Sequence, residues 1–202
     1  MRNGSIRNII KKLGLITVAA TLMLSLFACG KKEEKDVIGD TMENTLSFNS
    51  DGTVSEIACV NFTGVLYDIS DIEESVKNEV NQYCESHSKD AVKLVQFKQE
   101  EKLVRLAMDY NNLEDYNSFN GTEYRVVPAS EIDTSDKLMD LTGKEVSSED
   151  ALVADYRAFI IDGDYKVVTD GKILYYNEHV AFNTDDATAT TDGKGEAVII
   201  YQ

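Results

Sequence analysis

After residue 44 the chain alternates short apolar runs with polar breaks, a pattern typical of β-strands. The first two runs, Thr45–Phe48 and Val54–Phe62, flank the segment Asn49-Ser50-Asp51-Gly52. An Asp-Gly pair between two β-prone runs is a strong hairpin signal, because these residues tolerate the backbone conformation of a tight turn. The two runs are therefore predicted to pair antiparallel.

A second hairpin is predicted from Ala91–Phe97 and Leu103–Tyr110, which flank a polar break at Lys98–Lys102. The apolar residues of this stretch also approach helical spacing, so one helix over Val92–Met108 is the alternative. The two interpretations differ in the period of the apolar positions, which is 2 in a strand and 3.6 in a helix. We favour the hairpin.

One amphipathic helix is predicted near the front of the folded part, over about residues 70–86. Ser70 offers an N-cap and Glu73 follows three residues later, which is the arrangement of a capping box. Apolar side chains recur on one stripe of this helix: Ile69, Ile72, Val76, Val80, Tyr83 and Cys84. The helix is expected to cover a sheet with that stripe and to meet water with its charged side.

The rest of the chain predicts further strands. A helical turn over Asn112–Phe119 precedes a strand at Thr122–Val127, and residues 129–150 indicate an acidic connector with a short helix. Six more β-prone runs then follow at short intervals: Tyr156–Ile161, Tyr165–Thr169, Lys172–Tyr176, Val180–Asn183, Ala187–Thr191 and Ala197–Tyr201. The predicted fold class is α+β, mostly antiparallel, with a β-meander at the C-terminus.

The first 28 residues have a different pattern. A basic start that includes Lys11 and Lys12 leads into Leu13–Ala28, 16 residues without a charge, and the segment closes with Leu26-Phe27-Ala28-Cys29. A membrane-spanning helix needs about 20 apolar residues, whereas this length is normal for the core of a signal peptide.

This segment resembles the lipobox of bacterial lipoproteins, in which a signal peptidase cuts before a cysteine that carries lipid on its sulfur. The resemblance covers residues 1–29 and implies lipidation of Cys29. We therefore assign 1–28 to a signal peptide, 29–44 to a lipidated, flexible tether and 45–202 to a globular part. That part is one domain, or two subdomains (45–127 and 150–202) joined by the acidic connector. The expected location is the extracytoplasmic face of the cell membrane, with a Gram-positive-type surface preferred.

The net charge of the chain limits the classes of molecule that it is expected to bind. Without residues 1–28 the chain keeps 16 Lys and Arg against 36 Asp and Glu, a formal net charge of −20. Nucleic-acid binding depends on clustered Lys and Arg, so we exclude it. Besides the membrane reached through the lipid, the partners left are a protein, a cell-wall component or a small molecule.

Two cysteines remain after Cys29 is assigned to the lipid. Cys59 and Cys84 are able to form a disulfide outside the cytoplasm, or to stay as free thiols that pack as small hydrophobic residues. We favour free thiols, because many exported proteins of Gram-positive bacteria do without disulfides.

The chain offers little recognisable chemistry. Its two histidines are His87, expected to cap the helix, and His179, and neither belongs to a catalytic motif. Three acidic segments carry the oxygen ligands that Ca²⁺ accepts: Asp162-Gly163-Asp164, Thr184-Asp185-Asp186 and Asp192-Gly193-Lys194-Gly195-Glu196. Asp-Gly is also what hairpin turns need, so weak Ca²⁺ binding is the lesser expectation, and no cofactor is expected.

Two functions follow as hypotheses. The first is a membrane-anchored lipoprotein whose domain is a non-catalytic binding module at the cell surface. The alternative is an exported hydrolase with paired carboxylates that are distant in the sequence. The 10 tyrosines support either an aromatic binding surface or half-buried sheet positions, and we favour the second.

Overall fold

The computed structural model describes residues 36–62, 71–133, 137–182 and 187–202. The strands of this part are β1 (Thr45–Phe48), β2 (Val54–Asn61), β3 (Val92–Glu100), β4 (Leu103–Tyr110), β5 (Arg125–Pro128), β6 (Leu138–Asp140), β7 (Glu145–Val146), β8 (Arg157–Asp162), β9 (Lys166–Val168), β10 (Ile173–Asn177), β11 (Val180–Phe182), β12 (Thr188–Thr191) and β13 (Glu196–Tyr201). The helices are α1 (Ile72–Ser86), α2 (Leu113–Asn120) and α3 (Ser148–Ala151), with a 3-10 turn at Ala129–Glu131. The predicted α+β class, the early helix and the strand-rich C-terminus are confirmed.

The strands form two sheets. The first sheet has the order β11-β12-β9-β1-β2-β4-β3, and the second has the order β5-β8-β13-β10-β6-β7. β1 and β9 pair in parallel, whereas the other pairs of described strands are antiparallel. One continuous buried cluster contains inward residues of both sheets, including Leu46, Leu106, Phe159 and Ile199. We call the sheet faces that meet this cluster inner and the opposite faces outer.

Both predicted hairpins are present. In the first, Phe48 pairs with Val54 and Gly52 takes a φ of 86°, the left-handed value that makes glycine favourable there. In the second, β3 and β4 pair along their length with a bulge between Leu94 and Gln96. The helical alternative for residues 92–108 is therefore wrong, because these residues satisfy their backbone groups across strands.

The six predicted C-terminal strands are divided between the sheets. β8, β10 and β13 belong to the second sheet, and β9, β11 and β12 belong to the first. β5, from the other half of the chain, pairs with β8. Residues 45–127 and 150–202 therefore contribute strands to both sheets and share one core.

Helix α1 packs on the inner face of the first sheet beside β3. It buries Ile72, Val76 and Val80, as its apolar stripe predicts. Its N-cap is Asp71, which makes no side-chain capping bond, and Ser70, the predicted N-cap, lies outside the described residues. His87 is the C-cap, as predicted, and its backbone N–H donates to the carbonyl of Tyr83.

The outer face of the second sheet is covered by residues 129–132 and 147–152, whereas β6 and β7 extend the sheet itself. Residues 129–150 were predicted to be an acidic connector with a short helix; the helix is α3, but the strands β6 and β7 were missed. A second buried cluster joins this cover to the sheet: Ala129, Leu138, Ala151, Ala158, Val198 and Ile200. The segment is thus part of the folded core, held by apolar burial.

The outer face of the first sheet is covered by residues 36–44, which we call the strap. The backbone N–H groups of Val37 and Ile38 donate to Gln96 Oε1 at 3.0 and 3.2 Å. Lys98 Nζ lies 2.6 Å from Asp36 Oδ2, and the bond that Lys98 donates holds the pKa of the Asp36 carboxyl below its ordinary value. The sequence assigned these residues to the tether; in the structure they contact β3 and β4.

Arg105 of β4 is buried beneath the strap. Its side chain is 3% exposed, with Nη2 2.5 Å from Glu100 Oε1 and Nη1 donating to the carbonyl of Gly39 at 3.3 Å. The strap ends at Asn44, whose Oδ1 accepts the backbone N–H of Cys59 on β2 at 2.8 Å. In the part of the chain that the structure describes, no helix has the length and apolar character to cross a membrane.

Candidate functional site

An open cleft of about 300 Å³ lies where the end of α1 meets the start of α2. Its lining comes from two segments far apart in the sequence: Tyr83, His87 and Ser88, and Asn111, Asn112, Glu114, Asp115 and Ser118. The two segments are held together by the Asn111 backbone N–H, which donates to the Ala91 carbonyl at 2.9 Å. The volume is at the lower end of the range for small-molecule sites.

One wall of the cleft is an aromatic pair. The rings of Tyr83 and His87 stack with centroids 3.8 Å apart and an interplanar angle of 8°. His87 Nδ1 lies 3.0 Å from the Tyr83 carbonyl and 3.0 Å from Ser86 Oγ, so the imidazole is fixed against the helix end. The buried Phe119 ring packs nearly perpendicular to the Tyr83 ring, with the centroids 5.4 Å apart. The cleft therefore contains a flat, well-supported aromatic surface.

The other wall is acidic. Asn112 caps α2, with its Oδ1 accepting the Asp115 backbone N–H at 2.8 Å, and its Nδ2 donates to Asp115 Oδ2 at 3.0 Å. Tyr83 Oη donates to Asp115 Oδ1 at 3.3 Å, which ties the two walls together. Burial raises the pKa of Tyr83, and the charges of Asp115 and Glu114 add to the rise. Tyr83 therefore remains a neutral donor at neutral pH, while Glu114 is exposed to solvent.

A second cluster of polar side chains, formed by Glu56 and four tyrosines, lies between the sheets. Glu56 occupies an inward position of β2, is 2% exposed, and accepts a hydrogen bond from Tyr110 Oη at 2.9 Å. Tyr116 Oη and Tyr165 Oη are 3.4 Å apart, and Tyr124 Oη donates to the Asp162 carbonyl at 2.8 Å. These tyrosines are interior residues, more deeply buried than the half-buried positions expected from the sequence.

Burial controls the chemistry of this interior group. It raises the pKa of Tyr110 and Tyr116 well above the ordinary value, with the charge of Glu56 as the next cause. It also raises the pKa of Tyr165 to about 12. The phenols are therefore neutral hydrogen-bond donors at any physiological pH. Because they are enclosed by both sheets, we assign them a role in holding the sheets together.

The two cysteines are free thiols and lie on opposite faces of the first sheet. Cys59 Sγ, beneath the strap, donates to the carbonyls of Thr41 and Glu43 at 3.6 Å each. Burial raises the pKa of the Cys59 thiol. Cys84, on α1, donates to the Val92 carbonyl at 3.3 Å. The two thiols are therefore held at separate positions, one on each side of the first sheet.

Two of the acidic turns lie side by side, because a Cβ atom on Gly193 would stand 3.2 Å from the Cβ of Asp164. Thr184-Asp185-Asp186 lies outside the described residues. Asp192 accepts the Lys194 backbone N–H at 2.9 Å and faces His179 Nδ1 at 3.3 Å. The Lys194 N–H, followed by the charges of His179 and Lys194, lowers the pKa of Asp192. Within residues 36–62, 71–133, 137–182 and 187–202, no three His, Cys, Asp or Glu side chains are grouped so as to hold a metal ion.

The ring of His179 packs against the turn between β12 and β13. A Cβ atom on Gly195 would stand 2.5 Å from His179 Nε2, so glycine is needed there for the ring to fit. The imidazole therefore faces backbone on one side and Asp192 on the other. This arrangement fixes the turn between β12 and β13 against β10 and β11.

Sequence reasoning missed the cleft and the buried carboxylate. The cleft joins residues 83–88 to 111–118, and no local pattern indicates that contact. Glu56 did have a signal, because alternation places it between Val54 and Ala58 on the inner face of β2. Cys29 lies outside the described residues. Comparisons with protein-family models, with curated proteins and with solved structures find no match to this chain.

Proposed function

We propose that this chain is a membrane-anchored, extracytoplasmic lipoprotein whose domain is a non-catalytic binding module. The anchor rests on Leu26-Phe27-Ala28-Cys29 after an uncharged run of signal-peptide length. Lipid chains on Cys29 contribute about 0.8 kcal/mol per buried methylene, so two or three chains give durable attachment. The domain is then displayed on the outer side of the cell membrane.

The cleft between α1 and α2 is the proposed binding site, and its lining is the observation that carries this proposal. Glu114, Asp115 and the side-chain amides of Asn111 and Asn112 supply hydrogen-bond acceptors. The stacked rings of Tyr83 and His87 supply a flat aromatic surface. A ligand with donor groups and a flat or apolar portion suits such a site, which describes a basic peptide side chain or a sugar of the cell wall.

The anchor is tested by fatty-acid labelling of cells that express the full chain or its Cys29→Ala variant. We expect label and membrane association in the full chain and neither in the variant, because the variant lacks the sulfur that accepts the lipid. A soluble, unlabelled full chain would overturn the anchor.

The cleft is tested by thermal unfolding of non-lipidated residues 30–202 with wall fragments, sugars, peptides and amino acids. A ligand at 100 times its dissociation constant adds about 2.7 kcal/mol, which raises the melting temperature by roughly 5–10 °C in a domain of this size. Glu114→Gln should abolish most of the shift. Glu123→Gln removes one exposed acid outside the cleft and should leave the shift intact; equal effects of the two variants would count against the cleft.

The alternative is an exported hydrolase. One observation favours it: Glu114, Asp115 and His87 line the same cleft, so acid and base groups are available in one place. Turnover of a bound wall fragment, lost in the Glu114→Gln variant, would establish this alternative. Binding of the same fragment without turnover supports the module.

A further inference from the structure

The strap leaves little chain between the folded domain and the proposed anchor. Asp36 is bonded to Lys98 on the edge strand β3, and six residues lie between it and Cys29, so seven Cα–Cα steps join the two. At full extension those seven steps span about 25 Å. A domain of roughly 160 residues has a radius of gyration of about 15 Å and thus a diameter of about 40 Å. The link is therefore shorter than the domain is wide.

The strap decides which side of the domain this link reaches. If residues 36–44 were detached, the domain would hang from Asn44 with 15 residues of chain to Cys29 and could turn freely. With the strap bound through Gln96, Lys98 and Arg105, the point of departure is the β3 edge of the first sheet. The opposite edge, β11, is six strands away, or about 29 Å.

We propose that the strap fixes the orientation of the lipid-anchored domain on the membrane, with the strap and the β3 edge in contact with the headgroups of the bilayer. We call this arrangement the oriented mount. This inference rests on the proposed lipidation of Cys29. Two exposed large apolar side chains are present in the described residues, Val37 at 43% and Met42 at 64%, and both lie on the strap. The exposed acids Asp40 and Glu43 keep the strap at headgroup level and out of the hydrocarbon.

This orientation of the domain also determines where the cleft lies relative to the membrane. The cleft lies beside Ala91 and Asn111, at the opposite end of β3 from Lys98. Lys98 lies six positions after Val92 along the strand, a distance of about 20 Å. The cleft is also on the inner side of the first sheet, whereas the strap is on the outer side. It therefore opens away from the membrane, toward ligands outside the cell.

The test uses the lipidated full chain in vesicles that contain a dansyl-labelled headgroup lipid. The sequence has no tryptophan, so a single introduced tryptophan is an unambiguous energy donor. Gln99→Trp places it next to Lys98 on β3. Lys144→Trp places it in the turn between β6 and β7, beyond β10, which contacts the far edge strand β11. We expect several-fold more energy transfer from Gln99→Trp than from Lys144→Trp.

A strap variant completes the test. Gln96→Ala with Lys98→Ala removes the side chains that hold Val37, Ile38 and Asp36, and should reduce the difference between the two tryptophan positions. Lys93→Ala changes an exposed lysine on the same strand and should leave the difference unchanged. Thermal unfolding of each variant checks that it is folded.

The outcomes separate the two proposals. Equal transfer from both positions in a chain that carries fatty-acid label would overturn the oriented mount and leave the anchor standing. A difference that persists after strap release would also overturn the mount, because something other than the strap would then orient the domain. A chain without fatty-acid label would overturn both.

Discussion

The outer faces of the two sheets are covered in contrasting ways. The cover of the second sheet, residues 129–132 and 147–152, buries Ala129 and Ala151 in an apolar cluster with Leu138 of β6. The cover of the first sheet, the strap, buries one large apolar side chain, Ile38, and is otherwise held by hydrogen bonds and an ion pair to Gln96, Lys98 and Arg105.

This difference between apolar and polar attachment indicates which parts of the fold can open locally. Apolar burial contributes about 25 cal/mol per Å², so removing the cover of the second sheet would expose a core and unfold the domain. Each polar bond of the strap contributes about 0.5–1.5 kcal/mol net, and water can replace it when the strap leaves. We therefore expect the strap to open locally and the cover of the second sheet to open only with global unfolding.

The largest expected effect comes from Leu138→Ala in β6. Leu138 is 3% exposed in the apolar cluster, and truncating a buried leucine costs about 2–4 kcal/mol. Urea unfolding followed by circular dichroism measures the loss. Ile38→Ala on the strap removes a side chain of equal burial, yet should cost about 1 kcal/mol or less of global stability, because the strap opens first. Equal losses would contradict the comparison.

The next largest effect is expected at alkaline pH. Ionisation of tyrosines in the interior between the two sheets should unfold the domain as a whole, so that both covers open together. The pKa of Tyr165 is raised to about 12 in the folded protein from an ordinary value of 10.0. Above pH 10 the unfolded chain loses this proton while the folded chain keeps it. The contribution of Tyr165 to stability is therefore constant below pH 10 and falls as the pH rises, by about 2 kcal/mol at pH 12.

Absorbance at 295 nm follows the ionisation of tyrosine, and circular dichroism follows the fold. The buried tyrosines should ionise together with unfolding. Tyr165→Phe should lessen the fall in stability between pH 10 and pH 12. Ionisation of all tyrosines in a still-folded chain would show that the interior is open to solvent.

The smallest expected effect on stability comes from strap release by Gln96→Ala with Lys98→Ala, about 1 kcal/mol or less. The sensitive measurement is thiol reactivity. Cys59 lies beneath the strap, where burial raises its pKa, so release should increase its reaction rate with a disulfide reagent several-fold. Cys84, on the opposite face and bonded to the Val92 carbonyl, should react at an unchanged rate. Cys59→Ala and Cys84→Ala chains allow each thiol to be measured alone.

Local patterns in the sequence determined the elements of this fold. The hairpin at Asn49–Gly52, the strands around Lys98–Lys102, helix α1 and the six C-terminal strands were predicted because turn residues and apolar periodicity act over a few residues. Residues 129–150 were less predictable. β6 and β7 have three and two residues, too short for alternation to be recognised, and they are strands because β10 pairs with β6.

Only the tertiary structure decided which strands share a sheet, where the strap docks and which side chains form the cleft. Alternation shows that a strand has two faces and does not identify its neighbour, so the division of β8–β13 between the sheets is absent from the local pattern. Gln96 meets Val37 across 59 residues, and Tyr83 meets Asp115 across 32. Such contacts form because burial of the shared core brings these segments together, and the energy of that burial depends on the whole chain.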